Sequence, residues 1–105
     1  MSEAPRRGWT AWTEEIPART MLDMPPDLSK KVVNFLSALA LEVGGAIDRD
    51  RQPPGDPMEP MEPMEPMDDL CGRYSLQIPG EPVVFEYLVL RRRREIRIPV
   101  LVWFR

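Results

Sequence analysis

Histidine is absent from the 105 residues, and no other feature of the composition removes as much chemistry. There is no imidazole to serve as a general base, to ligate zinc, or to activate a serine or cysteine nucleophile. Cysteine occurs once, at Cys71, so the chain forms no internal disulfide and no cysteine-ligated metal site. Without an activating base, Cys71 reads as an incidental residue. Long apolar runs are missing as well: nothing approaches the roughly 18 residues of a membrane span, and Met1–Glu15 has no apolar signal region. The expectations are no membrane partner and a cytoplasmic location. Nothing in the sequence calls for a metal or a small-molecule cofactor.

The chain has the length of one domain with one modest core. Its formal charge of −3 conceals an uneven distribution. From residue 70 onward seven arginines stand against three glutamates, a net of +4, whereas residues 1–69 hold seven basic and fourteen acidic side chains, a net of −7. A basic half of this kind can bind nucleic acid although the whole chain is acidic, or the two halves can complement each other.

The last third carries the clearest pattern. Three runs rich in β-branched and aromatic residues, Tyr74–Ile78, Val83–Leu90 and Ile96–Phe104, are separated by Pro79-Gly80-Glu81-Pro82 and by Arg91, Arg92, Arg93 and Arg94. This pattern predicts an antiparallel meander. Period-two alternation puts Tyr74, Leu76 and Ile78 on one face, and in the last run it groups Ile96, Ile98, Val100, Val102 and Phe104 as the core set. The middle run is apolar on both sides, as suits a central strand. The opposite face then carries Arg73, Gln77, Glu86, Arg97 and Trp103, either a binding surface or a solvated exterior. Pro99 falls within the last run, where a strand should not lose an amide donor, so a bulge is expected there.

Upstream, Trp9–Ile16 reads as a short edge strand on the β-propensity of Trp and Thr, with a helix start at Thr13-Glu14-Glu15 as the alternative. Pro17–Met24 gives two helical turns with Pro17 at the first position, ended by Pro25-Pro26. Leu28, Val32, Phe35, Leu36, Leu39 and Val43 recur at spacings of three and four, predicting a helix over Asp27–Val43 that stops at Gly44-Gly45 and packs on the sheet. Residues 46–69 hold a tandem Pro-Met-Glu repeat at Pro57, Pro60 and Pro63, with a degenerate copy at Pro66. A proline at every third position forbids helix and ladder alike, so an extended loop inserted into the fold is expected. The fold class is therefore α+β: a small antiparallel sheet, made of an N-terminal strand and the C-terminal meander, with one or two helices on one face.

In this order of elements the chain resembles the RelE/ParE superfamily of bacterial toxins. The resemblance is carried by PPDLSKKVVNFLSALALEVGG and by GRYSLQIPGEPVVFEYLVLRRRREIRIPVLVWFR. It implies a toxin held by an antitoxin protein and acting as a ribosome-dependent mRNA endonuclease, with basic side chains on the sheet in place of metal, or else as a gyrase poison. Position by position, Ser75, Gln77 and Val84 stand where the nucleases place basic residues. Arg105 matches the basic residue that ends the last strand, with no C-terminal extension following it in this sequence.

As implied by the resemblance, Glu86, Arg97 and Arg105 form the candidate catalytic set. Glu86 would move the proton and the arginines would stabilise phosphate charge, since a guanidinium is a poor acid or base at neutral pH. Arg73 and Arg91–Arg94 are the candidate nucleic-acid contacts. The arginine run can grip phosphates through sequence-blind, salt-dependent contacts, or it can be a solvated turn that discourages edge association. The functional alternatives are a non-catalytic interaction protein on the same fold and a gyrase-directed toxin.

Overall fold

The structure is a computed structural model that describes residues 8–59 and 69–104. In chain order the elements are β1 (Thr10–Thr13), α1 (Glu15–Asp23), α2 (Pro26–Asp48), β2 (Asp56–Pro57), β3 (Leu70–Gln77), β4 (Val83–Leu90) and β5 (Glu95–Trp103). The strands form one sheet in the order β1-β5-β4-β3-β2. The architecture is α+β, with both helices on one face. The meander β3-β4-β5 is antiparallel, but β1 runs parallel to β5, so the sheet is mixed.

The two readings of Trp9–Ile16 each account for half of it. β1 stops at Thr13, and α1 begins at Glu15, leaving Ile16 in the helix. Pro17 lies two residues inside α1 and not at its start; the first helical turn tolerates it because those amides lack intrahelical acceptors in any case.

α2 does not stop at Gly44-Gly45 but runs on to Asp48, 23 residues or about 34 Å in all. Its end is closed by Asp50 in the left-handed region (φ 56°). There the Arg51 N–H donates to the Ala46 carbonyl (2.7 Å) and the Asp50 N–H to that of Ile47 (3.1 Å). These are the two bonds by which a left-handed residue satisfies the last carbonyls of a helix. Gly44 instead serves packing, because its bare Cα lies against the buried Trp9 indole.

Val32, Leu36, Leu39, Ala40 and Val43 line the buried side of α2, one turn above the next. They pack with Val83, Phe85, Tyr87, Val89, Ile96, Ile98 and Leu101 of the sheet into one cluster. Burying each larger apolar side chain contributes about 1.5–3 kcal/mol. Phe35 meets the Phe85 ring edge-on at 6.0 Å. The Tyr87 ring stacks on Tyr74 at 5.4 Å, and its hydroxyl donates to the Pro54 carbonyl. Burial holds the Tyr87 phenol well above its ordinary pKa, with the neighbouring Tyr74 and Glu42 adding to the shift.

The expected bulge is present. Glu86 pairs with Val100 and Leu88 with Arg97, so Ile98 and Pro99 together oppose Tyr87. The extra residue inverts the alternation beyond it. Leu101 and Trp103, assigned by simple alternation to the outer face, turn to the core, while Val100, Val102 and Phe104 are exposed. The loop reading of residues 46–69 also needs correction. Residues 46–48 belong to α2, and Asp56–Pro57 form a short strand paired with Ser75 and Tyr74, continued by the Met58 N–H donating to the Arg73 carbonyl. Pro57 can lie at this edge because an edge strand bonds on one side only. Residues 60–68, most of the repeat, lie outside the described residues.

A Cβ at position 44 would fall 2.3 Å from the Trp9 ring, whereas one at position 45 meets nothing closer than 3.9 Å. Gly45→Ala is expected to gain up to about 1 kcal/mol from helix propensity. Gly44→Ala is expected to lose about 1–2 kcal/mol net, because overpacking outweighs the same gain. Urea denaturation of the two variants checks both signs.

Candidate nucleic-acid interface

Two groups of charged side chains contain the described candidate residues. The first lies on the sheet face opposite the helices. Its register sets Trp12 beside Arg97, Arg97 beside Leu88, and Leu88 beside Arg73 in one row across four strands. In the next row Val100, Glu86, Ser75 and Asp56 follow one another. Arg73 and Arg97 thus flank Leu88, two strand spacings or about 10 Å apart. The sheet brings Arg73, Glu86 and Arg97 into one neighbourhood.

Each of these charges has a partner. Arg73 Nη2 donates to Glu86 Oε1, and Arg97 Nη2 donates to Glu95 Oε1 at 3.3 Å. The Arg97 guanidinium also lies over the Trp12 ring, 4.4 Å from its centre. Both arginines are mostly buried, with side-chain exposures of 12% and 19%. The Nε atom of each is enclosed without a hydrogen-bond partner. The two cations are matched by two partner carboxylates, with Asp56 a third on the same face, so the face has no excess of positive charge, and the Glu86 carboxylate is already engaged by Arg73. The far end of β5 carries Val100 and Val102, which the bulge turns outward. Arg105, the third member of the candidate catalytic set, lies outside the described residues.

The second group is the β4–β5 turn. The Arg94 N–H donates to the Arg91 carbonyl at 3.3 Å, and Arg94 takes a left-handed φ of 53° to rejoin the ladder. Asp69 fastens the turn from below: its backbone carbonyl accepts from the Arg91 N–H (3.0 Å), and its buried carboxylate accepts from the Arg93 N–H (3.2 Å). Arg93 Nε lies 3.6 Å from the same carboxylate. Arg94 is held by Asp48 at the end of α2 (3.4 Å) and lies over the Trp9 ring at 5.6 Å. Arg91 and Arg92 are exposed, and their side chains make no ion pair among the described residues. With Trp9, Asp48 and Arg94 they line an open cavity of about 440 Å³.

Sequence reasoning missed Trp12, Asp48 and Asp69. Trp12 was readable in principle, since alternation along β1 opposes it to Ala11, which packs on the core. Asp48 and Asp69 act over 46 and 24 residues of chain, and no local pattern signals such pairs. The Cys71 thiol is pushed above its ordinary pKa mainly by burial, against a lowering effect of Arg91, which leaves little thiolate at neutral pH. No cluster of potential metal ligands occurs among the described residues. No helix of the described residues is long and apolar enough to cross a membrane.

Removing one member of the Arg73–Glu86 pair leaves a mostly buried charge without compensation. Glu86→Ala is expected to lose about 3 kcal/mol, and pairing Glu86→Leu with Arg73→Met to recover most of that loss. Chemical denaturation of the single and double variants measures it.

Comparison of the chain with models of known protein families, with curated proteins and with solved structures finds no match in any of the three.

Proposed function

We propose that this chain is a toxin-like protein, of the RelE/ParE kind that its sequence resembles, and that it engages RNA through its arginine turn without cleaving it. The observation that carries this reading is the division of charge between the two groups. Arg73 and Arg97 are engaged by Glu86 and Glu95, while Arg91 and Arg92 stand exposed and unpaired among the described residues on a turn fixed by Asp69 and Trp9. Phosphate contacts need cations whose charge is not already neutralised, held on a rigid support. RNA on the ribosome is the target that the resemblance suggests, and an antitoxin protein is the partner that comes with it.

The reading is tested by the salt dependence of binding to a short fluorescent RNA, followed by anisotropy. Arg91→Ala with Arg92→Ala is expected to lower the slope of log K against log salt by about 1.4, roughly 0.7 for each single-strand phosphate that is no longer neutralised. Arg97→Ala is expected to leave that slope unchanged. Equal slopes for wild type and the double variant would remove the turn as the binding site.

A second reading, ribosome-dependent cleavage, is favoured by one observation. The enclosed Nε atoms of Arg73 and Arg97 lack acceptors, and an anion oxygen brought to this face would restore the missing bonds. Adding the protein to a cell-free translation reaction and mapping mRNA ends by primer extension separates the two. The non-cleaving reading expects intact mRNA. New ends that require ribosomes and vanish with Glu86→Gln would establish the nuclease.

A further inference from the structure

The two edges of the sheet are built differently. At one edge β2 is two residues long and ends in Pro57, which has no amide hydrogen to offer; both features blunt an edge against further pairing. At the other edge β1 has neither proline nor bulge, and no described strand pairs with its outer side. Thr10 and Glu14 donate their backbone N–H groups to the carbonyls of Arg94, just before β5, and of Ile98 on β5. The intervening Ala11 and Thr13 therefore turn their N–H and C=O groups away from β5, toward the open edge.

Apolar side chains are exposed beside that edge on both layers. On the open face Trp12 is 49% exposed. On the helix side α2 presents Val33 and Leu41, with Leu41 66% exposed, and a cavity of about 400 Å³ lies between Ser37 and Leu41 of α2 and Trp9, Thr10 and Ala11. Residues 8–13 carry no charge in a chain that is 30% charged, so the strand itself holds no charge against a like edge. Along α2, Lys30 stands near one end and Asp48 near the other, at opposite distances from a midpoint between Ser37 and Leu41.

We propose that a second copy of this chain occupies the β1 edge, joining the two sheets through antiparallel β1 strands about a two-fold axis at Trp12. Ala11 of each copy then exchanges both backbone hydrogen bonds with Thr13 of the other, giving four bonds in the register that their outward groups dictate. The two Trp12 side chains face each other as the non-hydrogen-bonded pair at the centre, where cross-strand side chains approach most closely. On the opposite layer α2, which lies over β1, meets its copy through Leu41 and Ser37. Because the two α2 helices run antiparallel, the Lys30 end of each faces the Asp48 end of the other, where Asp48 also holds Arg94 of its own chain. The interface is isologous, so the same patch serves both chains and the assembly closes at two.

The test is the mass of the full chain in solution by light scattering or sedimentation, with two substitutions that the monomer tolerates. Ala11→Pro removes an N–H that points away from β5, and Leu41→Glu alters an exposed position. Wild type is expected at twice the 12.1 kDa chain mass, and each variant at half the wild-type value with an unchanged circular dichroism spectrum. A wild type that stays at a single chain mass overturns the proposal and leaves the edge to an extended peptide of another protein. A doubled mass that survives both substitutions overturns it too, because the copies then meet elsewhere.

Discussion

The arrangement of the sheet depends on the missing amide hydrogen of Pro99. β5 lies inside the sheet, bonded to β1 on one side and β4 on the other, and a proline in such a strand removes a ladder donor. The chain accommodates it by setting Ile98 and Pro99 together against Tyr87. That one extra residue divides β5 into two segments of opposite phase. Before the bulge Ile96 and Ile98 face the helices and Arg97 faces outward; after it Leu101 and Trp103 face the helices and Val100 and Val102 face outward. On β5 the charge of the open face is therefore confined to the segment before the bulge, where Arg97 meets Trp12 and Glu95, and the segment after it is apolar on that face.

This confinement bears on function. A face for cleaving RNA needs cations and a proton acceptor available to substrate. Here Arg73 and Arg97 each carry a carboxylate partner, and the acceptor is one of those partners. The β4–β5 turn is arranged otherwise. Its anchors, Asp69, Asp48 and Trp9, hold Arg93, Arg94 and the backbone, leaving Arg91 and Arg92 exposed at the rim of a cavity. These anchors are the ground on which the phosphate-gripping role is proposed for the turn.

Much of the fold was legible in the sequence because it is written in local periods. The apolar stripe from Leu28 to Val43 and the three runs after Gly72 give α2 and the meander directly, and Pro99 signals its own bulge. What local pattern could not give was the consequence of that bulge, since counting by twos carries Val100 and Val102 to the wrong face. Gly44-Gly45 misled for a different reason: glycine closes helices by its backbone freedom, but here it admits an indole 35 residues away in sequence, and Asp50 adopts the left-handed turn. The candidate site was half legible. Alternation put Arg73, Glu86 and Arg97 on one face, while the pairing of Arg73 with Glu86 depends on cross-strand register and that of Arg97 with Glu95 on rotamers that no sequence pattern records.

The central claim is that RNA meets the arginine turn and not the open face of the sheet, and the three tryptophans separate these outcomes. Trp9 lies under Arg94, Trp12 lies against Arg97, and Trp103 packs on the core, so their indole N–H resonances report on three different places. Titration of the isotopically labelled protein with a short RNA, followed by two-dimensional NMR, is the most direct measurement. The account predicts shifts at Trp9 and at the amides of residues 91–94, with Trp12 and Trp103 unmoved. Shifts centred on Trp12 and on the amides of Glu86 and Arg97, with the turn unmoved, would contradict it.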